Sequence, residues 1–359
     1  MSPRRPATPT GEQDPLQRTA HVSTPSRLTI RDVALAAGVS PATVSRALRG
    51  MDNVDLRTRE RIVALARELN YTVSPAASRL ATGRTGTIGI VTPFVGRWYF
   101  TEVFAGVEEG LKQYDVDLLL HVTESPERPE FPRAHIRMRR RVDGALVIGL
   151  TPDEDDMAGL AEMDEPVVLL GARAPGFASV TIDDRLGARC AVEHLVEQGH
   201  QRIALVTGRV LPTNILPEND RLAGYLDVMT AHGLPTPSEL RVVGDFTTEG
   251  GERSMNELLA LAPRPTAVFC MSDEMAYGAM RALRRSGVRA GGDRDGGEIA
   301  VIGFDGHDLA DAFDLSTVSQ PVRSLGRAAA DLLMAQVLGS NDPPSVVLPT
   351  TLHVRGSTS

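Results

Sequence analysis

From Thr87 onward the chain alternates two apolar patterns, and that alternation limits the folds open to it more than any other feature. Short, nearly unbroken aliphatic runs include TIGIVTPF, VDLLLHV, GALVIGL, PVVLLGA, RIALVTG, LRVVGD, TAVFCMS and IAVIGFD. Stretches with helical periodicity lie between many of them, such as FTEVFAGVEEGLKQY, LGARCAVEHLVEQG and DEMAYGAMRALRRSG. A strand apolar on both faces must be covered on both, so the runs predict parallel sheets flanked by helices. Each strand–helix–strand unit is expected to cross over right-handed. So many strands would overload one small sheet, and two α/β subdomains are the economical arrangement. A chain of 359 residues has room for both and for a further small domain.

What precedes Thr87 is different in kind. Residues 1–27 are rich in Pro, Thr and Ser, lack apolar periodicity, and read as a disordered extension. They contain no apolar core of a secretory signal, and no run in the chain approaches the roughly eighteen residues of a membrane span. Two cysteines, Cys190 and Cys270, make no disulfide framework, which fits a cytoplasmic location. Residues 1–83 hold twelve Arg, no Lys and seven acidic residues, a net charge of +5 on a chain of −8 overall. Either this is chance in a short segment, or a basic head on an acidic body is the part that meets a polyanion.

The stretch TIRDVALAAGVSPATVSRAL decides between these. Ile30, Val33, Ala34 and Ala37 line one face of a short helix, and Gly38 permits a tight turn. Ser40 is a good N-cap and Pro41 suits the first position of a second helix. Val39, Val44 and Leu48 are placed to bury against the first helix. That is a helix-turn-helix, whose second helix enters the DNA major groove; an ordinary αα-corner is the bland alternative. Pro41, Ala42, Thr43, Ser45, Arg46 and Arg49 are left on the exposed face. Arg46 can donate two hydrogen bonds to a guanine edge, and Thr43 or Ser45 can reach bases or phosphates.

With TRERIVALARELNY and SPAASRLA following, the run Leu28–Gly83 resembles the headpiece of the LacI/GalR transcription regulators, and the resemblance continues to about Val354. It implies an all-α three-helix headpiece with a hinge helix, joined to an α/β core of two Rossmann-like parallel-sheet subdomains of the periplasmic-binding-protein type. The expected divisions are 1–27 extension, 28–73 headpiece, 74–84 hinge helix and linker, 85–182 plus about 319–342 as one subdomain, and 183–318 plus about 343–356 as the other. It also implies a homodimer on double-stranded operator DNA, with contacts from Thr29, Ser40, Pro41, Ala42, Thr43, Ser45, Arg46, Asn53 and Thr58. Leu80 matches a leucine that wedges between base steps in the minor groove, with Ala77 on the same face. A hinge helix of six to eight residues is marginal alone in water and would form only when two copies pack on DNA. The alternative there is a plain linker.

The motifs RLAGYLDVM, TAVFCMSDEMAYGAMRALRRSGV, IAVIGFDG and STVSQPVRSLG appear in family order. By that alignment Arg221, Asp305 and Gln320 match positions that bind a small-molecule effector, expected to be a carbohydrate. Phe246 stands at an aromatic platform position, Ser272 where several sugar-binding members carry Asn, and Gly171 where one carries Asp. Arg173 belongs to the same expected set, and Trp98 and Tyr99 could form the opposing wall. Structural alternatives stand beside these: a surface ion pair for Arg221, a helix cap for Asp305, plain packing for Phe246 and Trp98, a structural role for Asp183. Cys190 and His194 sit four apart but read as core plus surface, so no metal is expected. The basic run RMRRR at 137–141 reads as a solvated helix end. No G-x-x-x-x-G-K-[ST], H-E-x-x-H or G-x-S-x-G motif is present, and neither an enzyme nor a cofactor is expected. The expected function is a sequence-specific repressor of carbohydrate-utilisation genes, released from a pseudo-palindromic operator by a sugar or sugar derivative. Alternatives are a corepressor- or partner-dependent regulator and, more distantly, a sugar-binding module.

Overall fold

The computed structural model of the chain describes residues 28–48, 53–69, 71, 84–123, 138–151, 154–208, 216–293, 297–340 and 345–359. The chain divides into two compact units, Met1–Ala81 and Thr82–Ser359. The expected hinge helix, with Ala77 and Leu80, and the N-terminal extension lie outside the described residues.

In the first unit, α1 (Ile30–Ala37), α2 (Pro41–Leu48) and α3 (Leu56–Glu68) pack around Val33, Val44 and Ile62, each fully buried. Gly38 ends α1 with φ +64, a left-handed conformation that costs glycine nothing, and turns the chain into α2 within three residues. Asp55 caps α3, its carboxylate accepting the N–H groups of Arg57 at 3.0 Å and Thr58 at 3.3 Å. From α3, Arg61 donates through Nη2 to the Ala37 carbonyl at 3.1 Å, tying it to the end of α1. Val39 and Leu48, expected in this core, are half-buried against it.

The second unit holds two six-stranded sheets. The first has the order β11-β5-β4-β3-β1-β2, from β1 (Thr87–Thr92), β2 (Asp117–Val122), β3 (Gly144–Ile148), β4 (Val167–Leu170), β5 (Ala178–Ile182) and β11 (Val346–Leu348). All its pairings are parallel. The second has the order β12-β10-β9-β8-β6-β7, from β6 (Ile203–Thr207), β7 (Arg241–Val243), β8 (Ala267–Cys270), β9 (Ala300–Asp305), β10 (Ser316–Ser319) and β12 (Thr351–His353). Only β12 runs antiparallel. β1, β3, β4, β6 and β8 are buried along their whole length, as their unbroken apolar runs require.

Between the strands lie α4 (Trp98–Leu111), α5 (Glu154–Ala161), α6 (Asp184–Glu197), α7 (Leu216–Ala231), α8 (Thr248–Leu259), α9 (Asp273–Arg285) and α10 (Val322–Val337). The chain leaves the first sheet after Ile182 and returns after Ser319, when α10 packs on β3, β4 and β5. It crosses a third time between Leu348 and Thr351, at the end of the expected window of residues 340–350 and a few residues past the approximate boundary at 343. Val346–Leu348 still pairs with Val180–Ile182, and a three-residue edge strand carries no periodicity that tells which sheet it joins. In each sheet the order reverses beside the first strand, between β1 and β3 and between β6 and β8. Ligands of open α/β sheets bind beyond the carboxyl ends of the strands at such reversals.

Candidate functional site

On the headpiece, α2 turns Pro41, Ala42 and Arg46 to solvent and buries Val44 and Ala47 on the opposite side. Thr43 and Ser45 are half-buried. Ser40 and Thr43 are partly spent on the helix start, with the Thr43 N–H donating to Ser40 Oγ at 3.1 Å and the two hydroxyls 2.8 Å apart. Thr29 does the same for α1, giving its N–H and hydroxyl to Asp32 at 2.7 and 2.8 Å. Those bonds hold the Asp32 carboxyl below its usual pKa. Asn53 is exposed, and Thr58 is half-buried behind the Asp55 cap. The result is an exposed Pro–Ala–Arg face carrying a guanidinium, with the neighbouring hydroxyls fixed in place.

In the core, four of the expected residues meet. Arg221 on α7 is buried, its Nε donating to Asp184 Oδ1 at 2.8 Å and its Nη1 to the Met271 carbonyl, 3.5 Å from Asp305 Oδ1. Its guanidinium lies 3.7 Å above the ring of Phe304. Gln320 donates through Nε2 to the same Asp305 oxygen at 2.7 Å. Asp305, the last residue of β9, has φ +118, a strained backbone for a residue with a side chain. Tyr99 reaches toward this group from the first subdomain and feels the charges of Asp184, Asp305 and Arg221. A Cβ at Gly171, whose φ is +80, would stand 3.6 Å from the Tyr99 hydroxyl.

The electrostatics follow from burial. Burial pushes Asp305 up to about 7, against the opposing pull of Arg221 and the Gln320 hydrogen bond. Asp184 is raised by burial too, with Arg221 pulling the other way. For Arg221 burial disfavours the cation, but Asp184 and Asp305 outweigh it and hold the group above its ordinary value. Asp273, at the start of α9, is buried and raised well above the carboxylate range by burial and then by Asp305. It accepts from the Thr317 hydroxyl and the His307 N–H, both at 2.7 Å.

A second cluster joins the subdomains at the rim. The Trp98 indole stacks on His307 with ring centroids 4.7 Å apart, and its Nε1 donates to Asp308 at 3.3 Å. Glu274 faces the Trp98 N–H and the Arg97 guanidinium, and Asp245 faces Arg97 as well. Behind His307 stand the rings of Tyr277 and, beyond it, Phe313.

The other expected residues are held by partners of their own. Arg173 is exposed and grips the Thr181 hydroxyl at 2.9 and 3.1 Å. Ser272 caps α9, accepting the Met275 N–H at 3.3 Å. Phe246 follows β7 at φ +53 and is half-buried against the core. Asp183 caps α6, accepting the Leu186 N–H at 2.9 Å. Sequence reasoning missed Asp184, Phe304 and His307. The doubled acid in TIDD was a usable signal, since one Asp suffices as a cap. Among the described residues no group of His, Cys, Asp and Glu could hold a metal, and His194 instead bonds the Thr358 hydroxyl at 2.9 Å. No helix among them is long and apolar enough to cross a membrane.

A helix-turn-helix headpiece and a two-sheet core with a buried polar group at the strand ends define a DNA-binding regulator with a small-molecule sensor. Residues 29–74 match the bacterial regulatory proteins of the lacI family, and residues 192–358 match a periplasmic binding protein-like domain. The transcriptional repressor CytR of Escherichia coli (strain K12) is 33% identical over 335 residues, covering 92% of this chain and 96% of that protein. The transcriptional regulator CelR of Thermobifida fusca is 34% identical over 343 residues, covering 92% and 98%. The lac repressor dimer bound to operator and the anti-inducer ONPF superposes with a TM-score of 0.81 at 29% identity, covering 92% of this chain and 98% of that one. A CelR–cellobiose complex superposes with a TM-score of 0.66 at 32% identity, covering 92% and 100%. The chain belongs to the lacI family of helix-turn-helix transcription regulators.

Proposed function

We propose that this chain is a repressor of carbohydrate-utilisation genes that acts in the cytoplasm as a homodimer and leaves a pseudo-palindromic operator when a sugar or sugar derivative fills the core. The observation that carries this is the buried Asp184–Arg221–Asp305–Gln320 group, set at the carboxyl ends of strands in a chain that also carries the helix-turn-helix. Each copy places α2 in a major groove. Arg46 reads a base edge from there, and Pro41, Ala42, Thr43 and Ser45 lie alongside. Ser40, Thr29, Asn53 and Thr58 position the backbone. Ala77 and Leu80 face the central minor groove, with Leu80 as the wedge.

The sugar lies between Tyr99 and the Arg221 group. Trp98, Phe246, Gly171, Arg173 and Ser272 border the same space. Because the ligand touches both subdomains, it favours one of their relative positions, and it shifts operator binding only by its differential affinity for the two states. A hundredfold release needs about 2.7 kcal/mol of coupling. The relatives make the reading concrete: one solved neighbour is a lac repressor dimer on its operator, and another holds cellobiose.

The test is fluorescence anisotropy of the purified chain on genomic fragments, with and without sugars. A fragment bound in preference to scrambled DNA and released by a sugar supports the reading. Tighter DNA binding on adding the sugar would make it a corepressor instead, and no preference for any fragment would end the proposal.

A further inference from the structure

The groups around Arg221 are unequal in what they have left to offer. Arg221 has committed Nε to Asp184 and Nη1 to the Met271 carbonyl, with Asp305 beside it. Both carboxylates meet it through Oδ1, and one of the two Nε2 hydrogens of Gln320 also goes to Asp305 Oδ1. Oδ2 of Asp184, Oδ2 of Asp305 and Oε1 of Gln320 have no partner among the described residues, while 10% and 13% of the two aspartate side chains stay open. The spare capacity is thus three acceptor oxygens, with the second Gln320 N–H, the Arg221 Nη2 edge and the Tyr99 hydroxyl beside them.

The charge balance points the same way. Arg221 is the one cation in this buried group among the described residues, and it sits among Asp184, Asp305 and Asp273. The neighbouring arginines are engaged elsewhere, Arg97 facing Glu274 and Asp245, and Arg173 gripping Thr181 and facing Asp220. Among the described residues the pocket offers no cation without a carboxyl against it.

We propose that the effector cleft selects an uncharged, hydroxyl-rich ligand, a neutral mono- or disaccharide, and rejects phosphorylated and carboxylated sugars. The inference rests on the reading of this cleft as the effector site. Sugar hydroxyls donate to the open carboxylate oxygens in charge-assisted bonds and can accept in return from the Arg221 edge. A phosphate or carboxylate offers no donor to those oxygens. It would have to compete with Asp184 and Asp305 for the one guanidinium, and every ionised carboxylate there would repel it in a partly dehydrated site where such repulsion is strong.

The test is isothermal titration calorimetry on the full chain, with operator release recorded in parallel. The probes are D-glucose, D-ribose and cellobiose against D-glucose 6-phosphate, D-ribose 5-phosphate and D-glucuronate. The expected result is that a neutral sugar binds and its anionic counterpart binds about a hundredfold more weakly or not at all, a difference of about 2.7 kcal/mol. Asp184→Asn, which removes one negative charge from beside Arg221, narrows that ratio about tenfold. Gln320→Glu, which adds one, widens it and serves if the first variant loses operator binding through misfolding. An anionic sugar that binds as tightly as its neutral parent and releases the operator overturns this inference and leaves the sugar-sensor reading standing. If no probe of either kind binds while the operator is still held, the sugar-sensor reading falls and takes the inference with it.

Discussion

Arg46 and Asp305 show how differently single residues can be read. Arg46 was legible from spacing alone, since a helix whose Val44 and Ala47 are buried must turn the residue between them outward. Replacing it (Arg46→Ala) is expected to cost about 1–3 kcal/mol of discrimination between operator and scrambled DNA. Anisotropy titrations on both duplexes check this; unchanged discrimination would remove Arg46 from base readout. The family resemblance put Asp305 at an expected effector position, but its state was not legible. Its pKa of about 7 arises because the fold buries it beside Asp184 and Glu274 with only Arg221 and Gln320 in compensation. The folded chain holds this proton where the unfolded chain, with an ordinary carboxyl near 3.9, has lost it. The stability it confers is therefore full below about pH 4 and is lost as pH rises through about 7. Asp305→Asn should flatten the fall in Tm between about pH 4 and about pH 7. It should not abolish it, because Asp184 and Asp273 are raised in the same direction. An unaltered slope would show that Asp305 does not carry this titration.

At the scale of elements, local signals served well where the chain makes its own contacts. The Gly38 turn, the Ser40 and Asp55 caps and the buried strands follow from residues a few positions apart. The packing of α4 on α10 does not, because their residues lie more than two hundred positions apart. Gly106 and Gly326 let those backbones touch: a Cβ on Gly106 would lie 2.0 Å from the Arg323 carbonyl, and one on Gly326 2.2 Å from that of Val103. In a free helix Gly→Ala stabilises by up to about 1 kcal/mol. Here the contact is with backbone, which cannot swing aside, so overpacking wins. Gly106→Ala is expected to destabilise the core by about 1–3 kcal/mol, seen as a lower urea midpoint. A midpoint at or above that of the parent would show that the helices part at no cost.

For the molecule as a whole, the join between subdomains carries the Trp98–His307 stack and borders the proposed effector site. Trp98 is the lone tryptophan, and its ring lies on His307 of the opposite subdomain, so its emission reports their separation. Titrating a sugar that releases the operator should change that emission with the same half-saturation as release. Constant emission throughout release would mean that the Trp98–His307 stack does not move. The sequence by itself determined the headpiece helices and the succession of strands and helices that make two parallel-sheet subdomains, because apolar period, caps and turn glycines are written in neighbouring residues. The family resemblance, and not local pattern, marked Arg221, Asp305 and Gln320. Tertiary structure alone decided that Arg221 takes Asp184 as its partner rather than a surface acid, and that it rests on Phe304. Only there does Trp98 meet Asp308, 210 residues away, and does β11 stay with the first sheet. Those contacts join positions that no local periodicity relates, and which of several possible partners a buried charge finds is set by the packing that excludes water around it.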